Sequence, residues 1–257
     1  MNKNKALITI TNVALKVKQP KGGYLALSKM TRELYEYDNE FIYRDNVGPK
    51  LSESVVEHLS EYLLGADKKA IFSLSMMGAK ILGKEDKANA LLESITDLED
   101  DSILAAVNLT RYEHIATNSF IANKTGDFSP IELDKNAYHN IKTMVRRVVK
   151  FFESKNIVKV HNEFTSDAYT ATINNGYINV LTEDTLWEIR AINTIISGHT
   201  LILLIKLCMA IKSNDDCYKN IKYIGIFNAK TCESMIYPVE SIPEVIRKEI
   251  ETDVIGY

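Results

Sequence analysis

This chain of 257 residues is short of several features that would assign it to a class at once. It has three cysteines, Cys208, Cys217 and Cys232, which form no CxxC pair and cannot all pair with one another. A disulfide framework and a cysteine-rich zinc site are therefore unsupported, and a reducing, cytoplasmic setting is expected. The basic start, Met1 to Lys5, leads into alternating rather than continuous apolar residues, so the apolar core of a signal peptide is lacking. The longest apolar run, Thr200 to Ile211, is broken by Lys206 and falls well short of the ~20 residues that span a bilayer. No membrane association is expected.

Strong net charge is lacking too. Lys and Arg number 31 against 34 Asp and Glu, a formal charge of −3, which excludes a uniformly cationic nucleic-acid coat. With 46% apolar residues, the chain has ample mass for a folded core. The five histidines, His58, His114, His139, His161 and His199, show no metal-ligand spacing, and Lys21-Gly22-Gly23 lacks the spacing of a phosphate-binding loop. No repeat or low-complexity tract is visible.

What is present changes character along the chain. Ala6 to Lys18 alternates with an approximate period of two, predicting a short strand or hairpin before the Gln19 to Gly23 turn. From Ser52 the period becomes helical, with a capping-box pattern at Ser54 and Glu57 and a stop at Gly65. Further helices are predicted over Asp67–Leu82, Glu85–Ile95 and Asp100–Leu109. The 122–130 segment has loop composition, so the organisation predicted is a mostly helical region over 1–125 and an α/β core, with α+β as the alternative, over 126–257.

Within that core, Ile141, Met144, Val145, Val148, Val149 and Phe152 share one face of a helix. Lys142, Arg146, Arg147 and Lys150 fall largely on the other. Residues 135–160 hold seven Lys or Arg against Glu153 alone, while residues 84–101 hold seven acids and two lysines, so the small net charge conceals segregation. The basic face could neutralise nucleic-acid phosphates or be a solvated helix surface. Strands are predicted over Ile157–Phe164, Ala168–Ile173, Tyr177–Leu181, Leu186–Ile192, Ile221–Phe227 and Ser234–Val239. A buried helix is predicted over Thr200–Lys212 and a last helix from Pro243.

The segment Gly176 to Arg190 carries the chemistry. On a strand, Glu188 and Arg190 point to one face and Trp187 and Ile189 to the other. A hairpin turn at Glu183-Asp184 brings Asn179 near them. An acid, a short connection and an acid-x-cation on one face is the layout of metal-dependent nucleases. Leu181-Thr182-Glu183-Asp184-Thr185-Leu186-Trp187 and His199-Thr200-Leu201 resemble the corresponding words of PD-(D/E)XK nuclease-like proteins of phage and mobile-element character. Pro20 to Tyr24, Ile224 to Asn228 and Val254 to Tyr257 resemble that group as well.

The resemblance implies a Mg²⁺-dependent site, and the departures fall on it. Asn179 stands where the family has a metal-binding aspartate, Arg190 where it has a lysine, and Ile202 where it has a glutamine, while Glu188 keeps the motif acid. Arginine keeps the charge but does not shed its proton at working pH. The expectation is a PD-(D/E)XK-like protein whose site is inactive or weakened, acting by binding nucleic acid or a protein. An active endonuclease would need Asp184 or Glu163 as a second carboxylate beside Glu188 for the metal. A host-interaction protein would use the acidic stretch Glu93 to Asp101. Without any resemblance, Glu188 and Arg190 are an ion pair on a solvated sheet face.

Overall fold

The structure is a computed structural model that describes residues 7–37, 40–42, 44–117 and 128–257. It is a mixed α/β protein that divides into two compact units. One combines Ile8–Glu36 with Phe152–Tyr257, and the other includes Tyr37–Phe151.

The first of these is built on a six-stranded sheet. Its strands, in chain order, are β1 (Thr31–Leu34), β2 (Ile157–Glu163), β3 (Tyr177–Thr182), β4 (Thr185–Arg190), β5 (Tyr223–Asn228) and β6 (Glu233–Pro238). In space they run β1-β6-β5-β4-β3-β2. Every neighbouring pair is antiparallel except β4 and β5. Two parallel neighbours need a crossover, and here it contains the helix Ser197–Lys212. Leu201, Leu204, Ile205, Cys208 and Met209 of that helix share a buried core with Leu181, Leu186, Ile224, Ile226 and Met235 of the strands.

The opposite sheet face carries Trp187, which Phe152 meets edge-on with ring centroids 6.0 Å apart. A Cβ on Gly225 would sit 2.6 Å from Trp187 Cζ3, so the residue beside this ring has to be glycine. The indole N–H donates to Thr182 Oγ1 at 3.2 Å, which satisfies the only polar atom of a buried ring. Trp187 is thus a core anchor.

The second unit is helical. Its elements include Pro49–Leu63, Lys68–Ile71, Ser73–Ile81, Glu85–Ser94, Asp100–Thr110, Glu113–Thr117 and most of Lys135–Phe152. The helix Ser73–Ile81 approaches the backbone of Tyr112 so closely that a Cβ on Gly78 would overlap the Tyr112 carbonyl at 1.8 Å. Asn140, fully buried on the last helix, donates to the Ile42 carbonyl and Asp45 Oδ2 and accepts from the Ile42 N–H.

Several sequence expectations differ from this arrangement. The strand or hairpin predicted from Ala6 is a five-residue helix, Ile10–Ala14, whose start is capped by Thr9 accepting from the Asn12 N–H at 3.1 Å. Ile10, Val13 and Ala14 recur at helical spacing and are buried, and that spacing outweighs the period-two alternation. The N-terminal strand is instead β1, added to the sheet edge beside β6, so the N-terminal segment completes the unit that the C-terminal half builds. The predicted strand Ala168–Ile173 is a 3₁₀ turn and loop, in which Thr170 Oγ1 accepts from the N–H groups of Thr172 and Ile173.

The helix predicted over Asp67–Leu82 breaks at Phe72, and the Ser54–Glu57 pattern lies inside a helix that begins at Pro49, where proline is suited to the first turn. The boundary expected near residue 125 lies outside the described residues. The units divide instead at 36/37 and at 151/152, at the end of the helix Lys135–Phe152.

Candidate functional site

Hairpin geometry sets the site. The register pairs Val180 with Trp187 and Leu181 with Leu186, and continuing it places Asn179 opposite Glu188. Both face the crossover helix, where Leu181 and Leu186 contribute to the core. In that position the two polar residues must find partners, because a buried charge without one is costly. Asn179 is fully buried, and Glu188 is 3% exposed.

The partner comes from the helix. Lys206 Nζ donates to Asn179 Oδ1 at 3.1 Å and makes a hydrogen-bonded ion pair with Glu188 Oε2. From the next position along the same strand face, Arg190 Nη2 reaches the other carboxylate oxygen, Oε1, at 2.6 Å. The Tyr177 ring closes one side, its centroid 5.2 Å from Lys206 Nζ, and the ring of His161 packs on it at 4.0 Å. His161 holds a left-handed backbone conformation, φ +49°, unusual in a strand.

The electrostatics follow from this enclosure. Burial opposes ionisation of Glu188 and is the largest influence on it, but the Lys206 and Arg190 charges together overcome that and hold its carboxyl below the usual range. His199, one turn into the crossover helix, is pushed down to about 4, first by burial and then by the Arg190 charge. Its Nδ1 accepts from the Ile196 N–H at 3.0 Å, so it is neutral at physiological pH with its proton on Nε2. That contact makes His199 a helix-start residue.

No known protein family, curated protein or solved structure matches this chain.

The structure thus brings Asn179, Glu188 and Arg190 together. They form no pair on a solvated face, since all three are buried. The second carboxylate that an active endonuclease would need, from Asp184 or Glu163, does not join them. Asp184 sits at the hairpin turn, where its Oδ1 accepts from Thr185 Oγ1 and its carbonyl accepts from the N–H groups of Lys222 and Tyr223. There it lines a separate cavity of about 350 Å³ with Lys155, Trp187 and Tyr223. Glu163 is exposed at the end of edge strand β2, opposite Tyr177.

A Mg²⁺ ion does not fit these residues. Both oxygens of Glu188 and the amide oxygen of Asn179 are already engaged by cationic groups. Among the described residues, no three His, Cys, Asp or Glu side chains gather as a metal site.

The predicted basic face is also divided. Arg147 is buried at 8% exposure, and Lys142 is tied to Glu99 Oε2 at 3.2 Å and Asp100 Oδ1 at 3.0 Å. Arg146 and Lys150 are exposed, four residues apart on one helix. The basic and acidic stretches of the sequence therefore meet at Lys142, which occupies part of the acidic stretch proposed for docking. Among the described residues, no helix is long and apolar enough to cross a membrane.

Lys206 is the site residue that motif reasoning missed. A signal existed: it is the lone charge between Thr200 and Ile211, and the helix has no polar face to carry it. A charge in such a helix has to meet an opposite charge inside the core.

Proposed function

We propose that this chain is a catalytically inactive PD-(D/E)XK-like protein of phage or mobile-element origin that works in the cytoplasm by binding nucleic acid. The observation that carries the inactive part is the occupation of Glu188: its two carboxylate oxygens meet Lys206 and Arg190, and the neighbouring acid position holds Asn179. A divalent ion at such a carboxylate would have to approach oxygens that already face two positive charges. The binding part is supported by Arg146 and Lys150, exposed one turn apart on a helix of 18 residues. Exposed cations at that spacing can follow successive phosphates.

The test combines cleavage and binding. Single- and double-stranded DNA are incubated with the protein and Mg²⁺ or Mn²⁺, beside Glu188→Ala, and no cleavage is expected from either. Cleavage that depends on Glu188 overturns the inactive assignment. In a salt titration of DNA affinity, Arg146→Ala with Lys150→Ala should weaken binding and reduce the salt slope by about 2. Affinity and slope unchanged by that pair would overturn the nucleic-acid assignment, and specific capture of a host protein instead would move the function to protein recognition.

A further inference from the structure

The misfit between this corner and a divalent ion can be traced to one atom. Lys206 Nζ lies between two oxygens delivered by different strands, Asn179 Oδ1 and Glu188 Oε2, with the face of Tyr177 on a third side. An amide oxygen, a carboxylate oxygen and an aromatic face are partners that suit an ammonium group. Asn179 is neutral, so Glu188 alone faces two cations, and the four polar side chains sum to one excess positive charge. A divalent ion entering this buried space would meet repulsion from Lys206 at the position where it would need oxygen ligands.

We infer that the Lys206 ammonium is the resident cation of the Asn179–Glu188 corner, and that the chain carries a latent divalent-cation site closed by this one side chain. The inference rests on the proposal that the corner derives from a PD-(D/E)XK-like metal centre. It accounts for Asn179 and Lys206 together. With an ammonium supplied internally, an aspartate at 179 is no longer needed to hold an external ion, and a neutral amide still accepts the hydrogen bond.

It also says which changes reopen the site. Asn179→Asp with Lys206→Gln turns the excess positive charge into an excess negative one and presents oxygens from positions 179, 188 and 206. Hard oxygen donors of that kind suit Mn²⁺ and Mg²⁺.

The experiment measures Mn²⁺ alone, without nucleic acid. Electron paramagnetic resonance reports the free ion, and thermal unfolding reports ligand stabilisation, for the wild type, Asn179→Asp, and Asn179→Asp with Lys206→Gln. The wild type and the single variant should leave Mn²⁺ free. The double variant should take up one ion per chain and gain about 2–4 °C in Tm once free Mn²⁺ exceeds its Kd several-fold. Adding Glu188→Ala should abolish both effects.

Stoichiometric, Glu188-dependent binding by the wild type or by Asn179→Asp would overturn the proposal, because Lys206 is still in place. A folded double variant that leaves Mn²⁺ free would overturn it equally, and would leave the inactive assignment standing. An independent measurement on the wild type avoids dependence on the variant's folding. An ammonium held in this way should give a slowly exchanging lysine NH₃⁺ resonance by NMR at neutral pH, lost in Lys206→Arg. Absence of that resonance would overturn the proposal.

Discussion

The two units each enclose a glutamate, and they treat it in opposite ways. In the sheet unit Glu188 faces two cations and stays ionised below the usual range, against the pull of burial. In the helical unit Glu113, with 19% of its side chain exposed, receives His58 Nε2 at 3.1 Å and Ser75 Oγ at 3.4 Å. Its pKa is pushed up to about 8, first by burial and then by the charges of Glu57 and Glu61. On its other side the His58 ring meets Thr110 Oγ1, 3.4 Å from Nδ1. Desolvation raises both carboxyls, but built-in cations reverse it at Glu188 while acidic neighbours add to it at Glu113.

The strongest way to break the contrast is to remove the charge from Glu188. Glu188→Gln leaves Lys206 and Arg190 buried without their anion, and the expected loss is about 3–5 kcal/mol, seen as a large drop in Tm or denaturant midpoint. Acid acts in the same direction. A carboxyl held below its unfolded pKa contributes stability that is present at neutral pH and lost as the pH falls through its folded value. A Glu188→Gln protein as stable as the wild type would show that the carboxylate–ammonium contacts contribute nothing net.

Glu113 should respond with the opposite sign. Its folded pKa, about 8, lies above the ordinary 4.5, so stability is highest below 4.5 and falls as the pH rises toward 8. Glu113→Gln removes that cost, and the expected gain is about 1–3 kcal/mol at pH 8, vanishing near pH 4, in parallel denaturant titrations. Destabilisation at pH 8 by this substitution would show that the surroundings of Glu113 favour its ionised form rather than oppose it.

The smallest effect belongs to a surface pair. Lys142, within its helix, joins Glu99 and Asp100 at the exposed start of the helix Asp100–Thr110, and solvent screens such contacts. Lys142→Ala should cost less than about 1 kcal/mol and lose its effect in high salt. A cost as large as that of Glu188→Gln would erase the distinction between buried and surface charge on which the comparison rests.

Much of the candidate site was legible in the chain. The alternation of Gly176 to Arg190, with a polar turn at Glu183-Asp184, was enough to pair two strands and put Asn179, Glu188 and Arg190 on one face, because side-chain direction in a strand follows from position alone. The helical face of residues 141–152 was equally plain, yet it did not reveal that Arg147 faces inward, since the inward arc of a helix is wider than its apolar stripe suggests when a buried polar residue has a partner.

Sequence alone thus determined where helices and strands lie over most of the chain, the hairpin, the mixed α/β class, and the replacement of an acid by Asn179. Periodicity and turn chemistry act over a few residues, so these features are local. Tertiary structure decided that β1 joins β6, that the units divide within Ile8–Tyr257 at 36/37 and 151/152, and that Lys206 enters the corner 18 residues after Glu188. Those outcomes depend on which surfaces meet across the fold, and a buried carboxylate is satisfied by whichever cation the packing delivers.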